Sequence, residues 1–155
     1  MHQEYSVTIA DTSCLILLDK IGELHMLKRV FGTVQVTEEI AKEFNKPLPS
    51  WINIVAVTNK QYVQLIQLEV DLGEASAIAY AVESNIILLI LDDWRARRLA
   101  SKLNLKFTGT LGILLKAKEL KLIERISPTL DKIQKTNFRF SDKVLKEILT
   151  LAGEN

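Results

Sequence analysis

Cysteine is almost missing from this chain. A single one, Cys14, rules out an intrachain disulfide and makes a reducing compartment the expected setting. It lies in the apolar run from Cys14 to Leu18, where a buried structural thiol is expected rather than a nucleophile. Histidine is as scarce: His2 and His25 stand far apart without metal-ligand spacing, so each reads as solvated and a Cys/His zinc site is excluded. The six glycines are scattered, and none builds a G-x-x-x-x-G-K or G-x-G-x-x-G phosphate loop. No apolar run approaches the ~20 residues of a membrane helix. Met-His-Gln-Glu-Tyr at the start lacks a basic leader region, so no signal peptide and a cytoplasmic location are expected. Net charge is only +1, so any nucleic-acid site has to come from a local patch.

What is present is one domain's worth of chain: 155 residues, 48% hydrophobic, enough for one sizeable core. Its organising stretch runs from Ile86 to Asp93. Six apolar residues without alternation predict a strand buried on both faces, hence a parallel sheet covered by helices. Asp92 and Asp93 follow at its C-terminal end, the edge at which open α/β sheets bind ligands. Two acids there are costly unless a cation compensates them, although a turn and helix cap would also explain the pair.

Around this strand the chain alternates. Strands are predicted at Ser6 to Ala10, Val34 to Val36, Trp51 to Val57 and Lys106 to Thr108. Helices are predicted at Cys14 to Ile21, Glu23 to Phe31, after the cap Thr37, Asn59 to Val70, from Gly73 to near Ser84, Trp94 to Leu103 and Leu111 to Leu120. Pro128 marks a further boundary, and two terminal helices are predicted, Ser127 to Lys135 and Ser141 to Leu151, the latter capped by Ser141. Alternation of this kind implies right-handed βαβ units and a mostly parallel sheet of about four or five strands. The division expected is a main domain over 1–126 with a helical extension, 127–155, packed on it.

Several acids point inward. With ~100° per residue, Glu74 shares a stripe with Ala77, Ile78, Ala81 and Val82, while Ser76, Tyr80 and Glu83 fall behind. Asp71 and Glu74 also fit a capping box, which explains the position without function. In the Thr37 helix, Glu43 lies nearest the apolar face of Ile40, Ala41 and Phe44, whereas Glu38 and Glu39 point outward. Asp11 closes the first strand. Asp11, Glu43, Glu74 and the pair Asp92/Asp93 therefore form a set whose members would repel one another in a shared crevice. Mg²⁺ or Mn²⁺ removes that repulsion, since hard cations take oxygen ligands and retain waters. Such a centre suits phosphodiester hydrolysis, with Thr12, Ser13 and Thr110 close enough to hold a water or a phosphate oxygen. Arg95, Arg97, Arg98, Lys102 and Lys106 make the densest basic stretch. They suit phosphate contacts as well as a solvated helix face. Trp94 reads as a buried residue, with base stacking as its alternative.

The order of these motifs resembles the PIN-domain superfamily of metal-dependent ribonucleases, which includes VapC-type toxins. More narrowly it resembles a prokaryotic branch described as predicted nucleic-acid-binding proteins. The matching stretches are Asp11-Thr-Ser-Cys-Leu-Ile, Val36-Thr-Glu-Glu-Ile-Ala-Lys-Glu43-Phe, Leu72-Gly-Glu74-Ala-Ser-Ala-Ile-Ala, Leu91-Asp-Asp-Trp-Arg-Ala-Arg-Arg98 and Thr108-Gly-Thr-Leu-Gly-Ile-Leu, with Phe140 to Leu149 at the tail. The resemblance implies a three-layer α/β/α fold with an acidic pocket. It makes Asp11 the first metal-binding acid, Glu43 the second, Glu74 the third where many relatives carry aspartate, and Asp92 or Asp93 the fourth. It also implies RNA as substrate, a homodimer and a small antitoxin encoded alongside. The expected function is a Mg²⁺- or Mn²⁺-dependent endoribonuclease, with Asp11, Glu74, Asp92 and Asp93 holding metal and Glu43 orienting water or completing the shell. The alternative is an inactive module of the same fold that binds nucleic acid or a partner.

Overall fold

The structure is a computed structural model that describes residues 7–84 and 87–155. His2 and the predicted strand starts at Ser6 and Ile86 lie outside the described residues. In chain order the elements are β1 (Val7–Ala10), α1 (Thr12–Lys20), α2 (Met26–Phe31), β2 (Val34–Thr37), α3 (Glu38–Phe44), β3 (Ile52–Val55) and α4 (Lys60–Ile66). Then come α5 (Leu72–Glu83), β4 (Ile87–Ile90), α6 (Trp94–Lys102), β5 (Lys106–Thr108), α7 (Thr110–Glu119), α8 (Ser127–Gln134) and α9 (Asp142–Leu151).

The strands form one five-stranded sheet, ordered β3-β2-β1-β4-β5, and every pairing is parallel. Ile87, Leu89 and Ile90 of β4 are buried, as are Thr8, Ile9 and Ala10 of β1, so both central strands are dry. That is the physical content of an unalternating apolar run. α5 packs on β2, β4 and α6, while α2 packs on β2 and α7, and these helices flank the sheet as a three-layer α/β/α fold. α9 packs on α7.

Strand order carries the functional consequence. The chain leaves β1 for β2 and β3, then returns to the other side of β1 as β4. Between β1 and β4 the winding reverses, and a crevice opens at the C-terminal ends there. The register pairs Ala10 with Ile90. Asp11 N–H donates to the Ile90 carbonyl at 3.2 Å, and Leu91 N–H donates to the Thr108 carbonyl at 2.8 Å. The residues after β1, β4 and β5 are thereby locked side by side: Asp11, Asp92 and Thr110.

Some expectations are corrected. The helix predicted at 59–70 ends as α4 at Ile66, because Leu68 and Glu69 bond back three residues, to Leu65 and Ile66, in tighter turns. α2 begins only at Met26, after similar turns at Glu23 and Leu24. In α5, Ser76 is fully buried and Val82 is exposed, the reverse of the stripe. α5 is wedged among α3, α4 and the sheet, so every residue from Gly73 to Ala79 is buried. Ser76 donates to the Gly73 carbonyl and bonds the Thr37 hydroxyl at 2.7 Å, a polar tie between α5 and α3. Trp94 is not buried; it is 66% exposed.

Candidate active site

Asp11 stands where an N-cap would, just before α1, yet its side chain makes no cap hydrogen bond. It is only 2% exposed, and its Oδ1 is buried without a hydrogen-bond partner. Burial raises its pKa to about 7; the Thr12 N–H opposes this, while the charges of Asp71, Glu43 and Asp92 add to it. A buried carboxylate oxygen with nothing to accept from is costly, and few native side chains are left so.

Glu74 is the second crowded acid. Its main chain and carboxylate close a capping box with Asp71: Glu74 N–H donates to Asp71 Oδ1 at 2.9 Å, and Asp71 N–H donates to Glu74 Oε1 at 3.3 Å. Capping explains one carboxylate oxygen, not the burial to 4%. Desolvation, then the charges of Asp11, Asp71 and Asp93, raise its pKa to about 8 against the Asp71 backbone bond. Asp71 enters here as an acid that sequence reasoning treated only as a cap. Its signal was the box itself, which brings a second carboxylate to the mouth.

The tandem aspartates divide. Asp92 is half-buried; Thr110 N–H donates to its Oδ1 at 2.9 Å and the Thr110 hydroxyl to its Oδ2 at 2.6 Å. Asp93 is exposed and caps α6, its Oδ2 accepting from Ala96 N–H at 3.0 Å. Asp92 bears on Asp11, and Asp93 bears on Glu74. Glu43 reaches in from α3 although the residue as a whole is exposed. Its Oε1 accepts from the Thr12 hydroxyl at 2.6 Å. Thr12 and Thr110 thus orient carboxylates; Ser13 is exposed on α1.

Two glycines make room for this arrangement. A Cβ on Gly73 would lie 2.1 Å from Glu43 Oε1 and 3.1 Å from Thr12 Oγ1. A Cβ on Gly109 would lie 2.1 Å from Arg97 Nη2 and 2.7 Å from Asp92 Oδ1. Sequence reasoning took both only as turn or helix-start residues. The basic stretch also divides. Arg97 is turned inward: its Nε donates to the Leu91 carbonyl at 2.6 Å, and its guanidinium lies 5.4 Å from the centre of the Phe107 ring. It braces the β4 end and does not join Arg95, Arg98 and Lys102 on the outer face. Cys14 is buried as expected, and burial pushes its thiol upward.

The donor set is all oxygen, which suits Mg²⁺ or Mn²⁺. Among the described residues no three acids, histidines or cysteines already close around one point. The orphaned oxygen of Asp11 and the crowding of like charges therefore fit an ion held by one or two carboxylates and completed by water, as is usual for Mg²⁺. Asp11 is the residue best placed to anchor it, with Asp92, Glu74 and Asp93 around it.

Among the described residues no helix is long and apolar enough to cross a membrane. A comparison with curated proteins and one with solved structures find no significant match. A family model described as a PIN domain matches residues 7–154, from β1 through the C-terminal helices. On that match, which spans nearly the whole chain, the protein belongs to the PIN-domain family, a nuclease-type fold.

Proposed function

We propose that the protein is a Mg²⁺- or Mn²⁺-dependent endoribonuclease acting in the crevice between β1 and β4. The observation that carries this reading is Asp11: a buried carboxylate with an unpartnered oxygen, ringed by other acids, at the point where the sheet reverses its winding. A bound divalent ion would supply a water of lowered pKa at neutral pH and charge to stabilise the phosphodiester as it is displaced. Asp11 and Asp92, the latter fixed by Thr110, would hold the ion. Glu43, oriented by the Thr12 hydroxyl, is placed to accept a proton from water at its remaining lone pairs. Glu74 and Asp93 would complete the acidic wall. The reading extends to the toxin of a toxin–antitoxin pair acting as a homodimer, for which a small antitoxin encoded alongside is the expected companion.

The experiment is direct. Purified protein should cleave RNA with Mn²⁺, stop on chelation, and lose at least ~10³-fold in rate in Asp11→Asn, the scale of a lost ion. Cleavage undiminished in that variant would overturn the reading. A second reading, a PIN fold that binds without turnover, draws support from Glu74 being turned to its cap. Salt-dependent RNA binding without cleavage across several divalent metals would select it.

A further inference from the structure

The outer face of α6 carries a cluster of cations. Among the described residues Lys46, Lys60, Lys116, Lys118, Arg125 and Lys132 pair with a carboxylate; the other lysines and arginines do not, and three of those stand together on the outer face of α6. Among the described residues, Arg95, Arg98 and Lys102 make no ion pair. With Trp94 they line a groove of about 550 Å³, together with Leu68, Leu99 and one acid, Glu69. The Trp94 indole is 66% exposed, and the Arg98 guanidinium lies 5.3 Å from its ring centre. Leu68, 82% exposed in the same groove, joins Trp94 in an exposed apolar patch rimmed by charge, the kind of surface that marks a binding site. The groove continues into a second depression of about 360 Å³ that shares Leu68, Glu69 and Arg95 and ends on Asp71, Glu74 and Asp93. One trough therefore leads from an aromatic-and-cation platform to the acidic crevice.

We infer that this trough is the track for an unpaired RNA strand, with a base stacked on Trp94 and phosphates on Arg95, Arg98 and Lys102. The inference rests on the nuclease reading for its direction, towards Glu74 and Asp93, but not for its binding chemistry. Exposed indole beside free cations suits single strands, because every unpaired base offers a π-face. A duplex hides those faces and would use the cations alone. Arg97, bonded to Leu91, has no part in the track, and Trp94 is a specificity residue for unpaired substrate rather than a group that touches the reacting atoms.

The chain contains two tryptophans, Trp51 and Trp94. In a Trp51→Phe, Asp11→Asn chain, Trp94 alone reports and the RNA stays intact. Titration with unstructured oligouridine should quench its emission, and a hairpin duplex of equal length should bind at least tenfold more weakly. Trp94→Ala should weaken oligouridine binding about tenfold or more, read by anisotropy of labelled RNA. Replacing Arg95, Arg98 and Lys102 by alanine should flatten the salt dependence by about two in log–log slope, at ~0.7 per single-strand phosphate contact. Anisotropy on the chain with both tryptophans gives the same comparison should Trp51→Phe not fold. Binding with unchanged Trp94 emission, equal affinity for duplex, or an unaltered salt slope in the triple variant would overturn the track. So would a change in oligomeric mass without a change in RNA affinity, which would make this face a protein contact. The two readings fail separately. RNA bound and Trp94 quenched without cleavage by the parent chain sinks the nuclease alone, whereas cleavage with an unchanged KM in the triple variant sinks the track alone.

Discussion

At the scale of single residues, Asp11 is a buried carboxylate with one oxygen left unpartnered. Its pKa in the fold is about 7 against 3.8 in a free side chain. Between those values the native state keeps a proton that the unfolded chain has released, so stability falls as pH rises from about 4 to about 7, and the full penalty applies above. Since a tenfold change in proton affinity is about 1.4 kcal/mol, the charged form costs on the order of a few kcal/mol. Asp11→Asn is therefore expected to stabilise the metal-free protein at pH 8 while silencing it, and to leave stability at pH 4 nearly unchanged. Urea denaturation at the two pH values measures this; equal destabilisation at both would mean that Asp11 is structural. Gly73→Ala separates site from scaffold in another way. Alanine in the first turn of α5 favours the helix by up to ~1 kcal/mol. Its Cβ, however, needs the space of the Glu43 carboxylate, the end of a flexible side chain, and must break the Thr12–Glu43 bond. Retained or raised melting temperature with RNA cleavage reduced ~10-fold or more is expected if that bond orients a proton acceptor. Unchanged cleavage would remove Glu43 from the site.

At the scale of elements, the tandem aspartates should part company. Asp93 works for α6, so Asp93→Ala should cost about 1 kcal/mol through the lost cap, and Asp93→Asn, which still caps, only a few tenths. Asp92 works for the crevice through Thr110, so Asp92→Asn should lower cleavage far more than stability. Thermal melts and rates on the same variants decide it, and reversal of the two phenotypes would move the fourth acid to Asp93. This division was not legible in Asp-Asp as a dipeptide, because both positions follow the same strand; only the bonds to Ala96 and Thr110 separate them. β4 was legible because it is buried in the middle of the sheet and its sequence runs apolar without alternation. Thr37, Asp71 and Ser141 announced their helices, since a cap is a local bond between near neighbours. Burial that depends on the third dimension was misread. A single apolar stripe on α5 puts Ser76 outward, but α3 covers that side. Apolarity puts Trp94 inward, and charge puts Arg97 outward. Helix phase alone does not show that Leu91 offers a carbonyl behind α6.

At the scale of the whole molecule, opposing carboxylates set where the protein is most stable. Glu154 is buried at first cost, but N–H groups of Ile126 and Ser127 and the Lys118 ammonium more than compensate, bringing its pKa to about 2. This tie joins the chain after α9 to the start of α8 and to α7. Because its pKa is depressed, its stabilisation is present above about 4.5 and is lost as pH falls towards 2. Glu83, pulled down by the Thr58 and Asn59 N–H groups against its own burial, acts in the same sense. Asp11 and Glu74 act oppositely, costing stability as pH rises towards about 7 and about 8. The metal-free protein should therefore be most stable near pH 4 to 5, lower than the usual range of ~5–8. A divalent ion bound by those acids reverses the alkaline limb. At a hundredfold excess over its Kd the ion adds about 2.7 kcal/mol, roughly 5–10 °C for a chain of this size. Mn²⁺ should raise the melting temperature by that much at pH 8 and by much less at pH 5, where protons compete for Asp11 and Glu74. Asp11→Asn should abolish the difference, and Glu154→Gln should leave it intact while lowering both curves. A Mn²⁺ shift of equal size at pH 5 and pH 8 would place the ion away from the buried acids, and with it the chemistry assigned to the β1–β4 crevice.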